Sequence, residues 1–405
     1  MSKQTNILNN IVAWAIALLG AGVCAFMVSG SLQHFGEVND LPEYYAGGSL
    51  LLSGKAATIY NLPAFYEIEH SLFPSLVRGI GLFLPPLAVP LLVPVALIPA
   101  SAAPQIWTGL LSASLVFALF ATCRYFGCER QALAWTLGLA MLSGPVIEGL
   151  RLGQLAPLLF LALVAFMWCA RCNRFAGAAV ALALFVLKPQ QMFPLVVYLL
   201  GNSRLRILGM AAAIVIVLTL VTVPLFGLDG YLQYMKVVTD KANLLSMQPE
   251  LNATIRGQIF RFTGMQSNLP SILGIASLAC FSVFAFLLGR RYKHDPQWIE
   301  AALVGAMPLG LLTSMHCHDY DLVLLIPCVV IIVRRAIAEK NRKLGLAAAC
   351  AAAFLQPFYS DIHYTMLLKQ HSAINPHFLA LSVLAAICSY SAWKESASID
   401  LPAPE

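Results

Sequence analysis

The chain has 405 residues, 59% of them hydrophobic and only 11% charged, with a formal charge of +6. A soluble domain carries about 25% charged residues, and a mean hydropathy of +0.77 leaves no polar surface with which to face water. The sequence therefore reads as an all-α, polytopic transmembrane helical bundle surrounded by membrane lipids; no dense Lys/Arg block lies beside aromatics, so no nucleic acid is expected as a partner.

The first apolar run covers about residues 11–28, behind Lys3. It is longer than a signal-peptide core and is expected to stay as the first span. A long polar connection, 29–81, follows. Segment 82–99 holds Pro85, Pro86, Pro90, Pro94 and Pro99, so any helix in it is broken repeatedly. Further apolar segments lie at 104–123, 131–147, 154–169, 175–187, 190–201 and 207–226, then, after a second polar connection at 227–268, at 269–288, 298–314, 321–333, 344–358 and 376–392. Several are shorter than the roughly 20 residues a perpendicular span needs. No internal repeat is evident. Residues 1–393 read as one integral domain and 394–405 as a cytoplasmic tail. The ten cysteines are scattered, mostly inside apolar runs (Cys24, Cys280, Cys328, Cys350, Cys388), and read as small hydrophobes with no disulfide framework.

Lys and Arg favour cytoplasmic loops. Sixteen of the 25 fall in one alternating set: Lys3, Arg124, Arg130, Arg171, Arg174, Arg204, Arg206, Arg290, Arg291, Lys293, Arg334, Arg335, Lys340, Arg342, Lys343 and Lys394. The alternation is strict from Arg124 onward if 82–99 is re-entrant or partly inserted, giving about 12 crossings, or 12–13 membrane segments, and two cytoplasmic termini. The alternative is an ordinary span at 82–99 with the topology misread elsewhere.

That orientation gathers Asp40, Glu43, Glu148, Arg151, Gln154, Lys188, Gln190, Gln191, Asn252, Arg256, Arg261, His316, His318, Asp319, Asp361 and His363 on the outer face. Ionisable groups are costly in a membrane and are functional candidates, so a polar cavity opening outward is expected. Asp40 can equally be an N-cap, with Pro42 in the first turn, Glu43 completing a capping box and Gly54 ending the helix; a cap at a loop–helix junction can still accept a proton. Lys188, before Pro189, is either a snorkelling lysine or a cation for an anionic ligand such as a lipid phosphate. Glu148 and Arg151, three apart, suit a structural pair. Arg256 and Arg261 could hold an anion, or lie in an ordinary solvated loop. Asn252-Ala-Thr254 is formally a glycosylation sequon. His316-Cys317-His318-Asp319 lacks ligand spacing, so no metal is expected there. No phosphate loop, nucleophile elbow or nucleotide-binding motif occurs, and no cofactor is expected.

The series Asp40-x-x-x-Tyr44-Tyr45-Ala-Gly-Gly-x-Leu-Leu-Leu-x-Gly54 with Tyr60, then Phe83-Leu84-Pro85-Pro86, Gly153-Gln154, Lys188-Pro189, Asn252-Ala-Thr254 with Arg261, and His318-Asp319-Tyr320 resembles glycosyltransferase family 87, within the GT-C superfamily. The resemblance spans about 40–330. It departs at Leu84, where an aromatic is usual, and at Thr254, where the usual serine is replaced with its hydroxyl kept. The resemblance implies a GT-C-like bundle in the plasma (inner) membrane with a long first extracytoplasmic loop. It implies inverting transfer of a sugar, mannose in this family, from a polyprenyl-phosphate donor to a glycolipid or glycan acceptor on the extracytoplasmic face. Asp40 would be the general base; Lys188, Arg256 and Arg261 would meet the donor phosphate; Gln154, Asn252, His318 and Tyr44 would bind substrate. The competing reading is a multi-pass transporter or a lipid or glycolipid flippase, against which stands the gathering of polar residues at one face. A third is another membrane transferase, such as an acyltransferase, for which His318-Asp319 is a meagre core.

Overall fold

The computed structural model describes residues 3–33, 39–77, 79, 81–240, 251–264, 268–338 and 374–394. The expected segment 344–358, the basic residues Lys340, Arg342 and Lys343, the outer-face candidates Asp361 and His363, and the tail beyond Lys394 lie outside the described residues. Among those described there is no strand. The helices are α1 (Lys3–Gln33), α2 (Leu41–Leu52), α3 (Leu62–Leu72), α4 (Val93–Ala96), α5 (Ala103–Tyr125), α6 (Arg130–Met141), α7 (Gly144–Arg151), α8 (Ala156–Arg171), α9 (Phe175–Ala183), α10 (Phe193–Gly201), α11 (Leu205–Thr239), α12 (Ile255–Thr263), α13 (Leu269–Arg291), α14 (Trp298–Gly305), α15 (Met307–Thr313), α16 (Ile326–Ala338) and α17 (Pro376–Lys394). Short 3-10 turns fill Ala56–Thr58, Pro86–Leu92, Leu184–Leu187, Pro189–Gln191 and Asp319–Leu325.

Among the described residues, five helices (α1, α5, α11, α13 and α17) are long and apolar enough to cross a bilayer singly. A sixth candidate is the α6–α7 pair, bent by 57° at Leu142–Ser143. Shorter apolar helices at Pro86–Ala96, Ala156–Arg171, Phe175–Leu187 and Trp298–Thr313 complete the bundle. The chain is an all-α, multi-pass membrane protein. Its outer helices expose rows of large apolar side chains, Ile216, Val217, Leu220 and Val221 on α11 and Ile272, Ile275 and Val283 on α13, a surface that lipid solvates and water does not. Where helices cross, glycines remove the side chain: a Cβ on Gly20 would lie 2.6 Å from the Gly138 carbonyl oxygen, which sets α1 hard against α6.

The bundle has two chemically different ends. α5 and α8 each start with an uncharged first turn and carry an arginine, Arg124 and Arg171, in the last. At the finishing end Arg171 Nη1 donates to Tyr125 O at 2.9 Å, and Arg334 of α16 donates to Phe126 O. At the starting end Trp107 Nε1 of α5 donates to Gly153 O, just before α8, at 2.8 Å. The 3-10 turn that leads into α16 likewise opens at the starting end, with Asp319 and Asp321.

The two polar connections are more ordered than their composition suggests. The first contains α2 and α3, and α2 is almost wholly buried. It packs on the proline-broken segment, where a Cβ on Gly48 would meet Leu92 O at 2.7 Å. The expected breakage of 82–99 is seen: one 3-10 stretch with Pro90 inside it, then a single turn of helix. Carbonyls that a continuous helix would pair are met by tyrosine hydroxyls, Tyr60 donating to Leu84 O and Tyr45 to Ile98 O, both at 2.7 Å. The second connection begins later than residue 227. Gly227 kinks the chain (φ +66°, ψ 171°), and helix resumes as far as Thr239. Tyr234 of that extension packs on Tyr60, with ring centres 5.5 Å apart.

Candidate functional site

Asn39 and Asp40 are stitched to the end of α7. Asp40 N–H donates to Leu152 O at 2.9 Å, and Asn39 Nδ2 donates to Arg151 O at 3.1 Å. Asn39 Oδ1 accepts from Leu41 N–H at 2.9 Å, so Asn39 satisfies an orphan donor of α2. Asp40 occupies the N-cap position with helical dihedrals (φ −89°, ψ −3°) and makes no side-chain cap bond. The expected Asp40 cap and Glu43 capping box are therefore not formed: Asp40 has helical dihedrals, Pro42 two residues on has no N–H to offer it, and Asn39 serves as the cap by accepting from Leu41 N–H. Pro42 in the first turn and Gly54 beyond the end (φ +71°) stand as expected.

Relieved of capping, the Asp40 carboxylate accepts from Gln154, whose Nε2 donates to Oδ2. A Schellman turn at the end of α7 places Gln154: Gly153 is left-handed (φ +66°), its N–H donates to Leu150 O, and Gln154 N–H donates to Gly149 O. Gly153 is also required by space, since a Cβ there would fall 2.5 Å from Asn39 Oδ1.

Lys188 joins from the other side. It is the extended residue (φ −145°, ψ 71°) that separates two 3-10 turns at the Pro189 break. Its Nζ donates to Gln154 Oε1 at 3.3 Å and pairs with Asp321 Oδ1 at 2.7 Å. It also lies 4.6 Å from the centre of the Tyr320 ring. Lys188 is buried and turned inward, so the snorkelling alternative is overturned. Asp321 is fully buried, and its second oxygen accepts from His318 N–H at 3.1 Å. Four stretches of chain thus supply one connected series, Asp40–Gln154–Lys188–Asp321. Tyr44 flanks it on α2, buried with its ring edge-on to Trp107 at 6.2 Å. Glu148 and Arg151 form the expected structural pair at 2.9 Å.

The other candidates lie along residues 251–261 and 314–318. Ala253 N–H donates to Cys317 O at 2.9 Å, and Cys317 N–H donates to Asn252 Oδ1 at 2.8 Å. Thr254 caps α12 by accepting from Gly257 N–H at 3.0 Å. Asn252 and Thr254 are both buried, so the sequon is internal structure. Arg256 Nη1 donates to Met315 O at 3.0 Å, while its buried Nε has no partner among the described residues. Arg261, also buried, follows by five residues, about 140° round the helix, so α12 turns the two arginines to different sides. His316 and His318 meet edge to face at 4.4 Å. The His318 bond to Asp321 links this region to the first.

Electrostatics distinguish the carboxyls. Burial pushes Asp40 up to about 7 while the Lys188 charge pulls it down. Glu43 is raised well above the usual range by burial first, then by Asp40 and Glu69. Burial, then His318, Lys188 and Arg256, hold the His316 imidazole well below its ordinary value. At about 7, the Asp40 carboxyl is placed to switch between protonated and ionised forms near neutrality.

Two features of this end were not foreseen from sequence. Asp321 opens an apolar run, and only its neighbour Asp319 stood among the candidates; an acid at the edge of such a run is the available signal. Asn39, which frees Asp40, has no sequence signal beyond its place in an Asn-Asp pair.

The model of a family described as glycosyltransferase family 87 matches residues 83–314. The match includes Gln154, Lys188, Asn252, Arg256 and Arg261, and leaves Asp40, Tyr44, His318 and Asp321 outside it. No curated protein matches the chain.

Proposed function

Because the chain belongs to glycosyltransferase family 87 and is therefore a membrane glycosyltransferase, we propose that it moves a sugar, mannose in this reading, from a polyprenyl-phosphate donor to an acceptor hydroxyl on a glycolipid or glycan at the extracytoplasmic face. The observation that carries the reading is a partly buried carboxylate, Asp40, spared from capping and held through Gln154 beside a buried lysine.

In this mechanism Asp40 removes the proton from the acceptor hydroxyl. The oxygen attacks the anomeric carbon from the face opposite the phosphate, the bond from that carbon to the phosphate oxygen breaks, and polyprenyl phosphate leaves with the electron pair. Lys188 and Arg256 stabilise the charge growing on the phosphate, while Arg261, turned to another side of α12, stands outside that contact; electrostatic help of this kind is worth several kcal/mol in a dry site, on the order of 10²–10³ in rate per donor. Asp321 pairs with Lys188 and aims its ammonium until the donor arrives. Gln154, His318 and Tyr44 flank the substrate, and Asn252 holds the 314–318 loop. Outward orientation is supported by the segregation of Arg171 and Arg334 at the opposite end of the bundle.

The test is incubation of the purified protein with radiolabelled polyprenyl-phosphate mannose and a membrane lipid extract. A labelled product with inverted anomeric configuration is expected, absent with Asp40→Asn. Transfer from a soluble nucleotide sugar alone, or full turnover by Asp40→Asn, would overturn the reading.

A further inference from the structure

At the basic end of the bundle, α5 closes in another Schellman turn. Gly127 is left-handed (φ +60°), its N–H donates to Arg124 O at 3.1 Å, and Cys128 N–H donates to Cys123 O at 2.8 Å. In such a turn the first and sixth residues bring their side chains into contact, usually as an apolar pair. Here both are cysteines. A backbone hydrogen bond that short draws their Cα atoms toward the roughly 4.4–6.8 Å that a disulfide bridges. Both thiols are free, and they interact with each other.

The pair is asymmetric. Cys123 is buried, whereas Cys128 is partly exposed in the link between α5 and α6. The Cys128 thiol is drawn down to about 7 by the hydrogen bond from Cys123 and by the Arg334 charge, against the effect of burial. Arg334 is kept there by donating to Phe126 O, inside the same turn. An accessible thiolate beside a cation, with a second thiol behind it, is the arrangement of a reactive dithiol. The neighbouring helix α8 provides a contrast. It also ends in a Schellman turn, with Arg174 N–H donating to Cys169 O at 2.7 Å. There the juxtaposed positions are Cys169 and Arg174, so Cys172 is not brought to Cys169 by that turn and is exposed.

We propose that Cys123 and Cys128 form a redox-active dithiol that takes low-molecular-weight disulfides as its substrate and closes to an intramolecular disulfide. The Cys128 thiolate attacks one sulfur of the small disulfide, whose S–S bond breaks; the departing thiolate takes up a proton, leaving a mixed disulfide on Cys128. Cys123 gives up its proton, its sulfur attacks the Cys128 sulfur, and the second small thiolate leaves and is protonated. Two protein thiols lose two electrons and the small disulfide gains them. The dithiol is separate from the sugar-transfer site: Cys123 lies sixteen positions beyond Trp107 on α5, about 24 Å along the axis.

The experiment uses full-length, pre-reduced protein in detergent, treated with oxidised glutathione, quenched in acid, alkylated with N-ethylmaleimide and mapped by peptide mass. In the wild type, the peptide carrying residues 123–128 loses two hydrogens and takes up no maleimide, while Cys172 is alkylated. Cys123→Ser retains glutathione on Cys128 as a trapped mixed disulfide. Cys128→Ser leaves Cys123 reacting at least ~10-fold more slowly. Elution volume confirms that the serine variants are folded, and the wild-type mass stands without them. Maleimide on both cysteines of the oxidised wild type, or glutathione retained on Cys128 equally with and without Cys123, would overturn the proposal.

Discussion

The junction at Asp40 and the clamp at Asn252 are both places where buried polar residues fill a break between helices, but they use their polar groups differently. At the clamp, Asn252 Oδ1 and Thr254 Oγ1 accept from main-chain N–H groups of Cys317 and Gly257. At the junction, Asp40, Gln154, Lys188 and Asp321 bond chiefly to one another, with two carboxylates facing one ammonium. A side chain that completes a main-chain ladder is committed to the fold, because removing it strands a buried N–H. Side chains that satisfy each other can exchange partners when a charged substrate enters. The contrast predicts that junction substitutions act on turnover beyond any cost in stability, and clamp substitutions on stability alone.

The sharpest break is Asp40→Asn. Loss of a general base costs on the order of 10²–10⁴ in rate, with elution volume and melting temperature in detergent unchanged; a variant retaining near-normal turnover would sink the role given to Asp40. Next, Lys188→Ala strands Asp321 in the interior, so a loss of about 3–5 kcal/mol is expected alongside the loss of transfer. Lys188→Met with Asp321→Leu should restore the melting temperature and leave transfer abolished. If the double variant stays unstable, the pair is not the source of the cost.

The pH profile follows. Asp40 must be ionised to act, and its carboxyl sits at about 7, so kcat/KM should fall tenfold per unit as pH drops below that value. The groups that act on Asp40 are Lys188 and Glu43, with Tyr44 and Tyr320 alongside, and Asp321 is paired to Lys188. Asp321→Asn removes the negative charge that balances Lys188, so the acid limb should move to lower pH, by on the order of one unit. A limb that stays in place would show that Asp321 does not act on Asp40 through Lys188. Gly153→Ala should cost about 1–2 kcal/mol for its left-handed backbone and on the order of 10-fold or more in turnover, since Asn39 and Asp40 must shift. The smallest effect is Thr254→Ala, about 1 kcal/mol in stability by loss of a cap, with kcat/KM at the wild-type value.

What sequence conveyed, and what it did not, follows from the range of the forces involved. The all-helical bundle was legible because span length, proline breaks and exposed apolar rows are local properties of a run. The broken helix at Pro85–Pro99 was legible for the same reason, though not the tyrosine hydroxyls that meet its carbonyls. At the junction, Asp40, Gln154 and Lys188 were visible as polar residues in an apolar chain. Asn39 as the helix-capping residue was not, because its choice over Asp40 depends on the Arg151 carbonyl, 112 residues away. Asp321 was hidden by Asp319 beside it, and the helix beyond Gly227 by the drop in hydropathy that made 227–268 resemble a loop. The opposite directions of Arg256 and Arg261 could have been read from helical spacing.

The ion pair between Lys188 and Asp321 joins residues 133 positions apart. During synthesis at about 5–20 residues per second, the lysine must wait on the order of ten seconds before its counter-charge has left the ribosome. Through that interval an ammonium destined for a dry interior has to be sheltered by water, headgroups or the insertion machinery. Maturation of the protein thus has a late step, the capture of an early cation by a late acid, and truncated chains ending before residue 321 should be drawn toward quality control however many apolar helices they have already inserted.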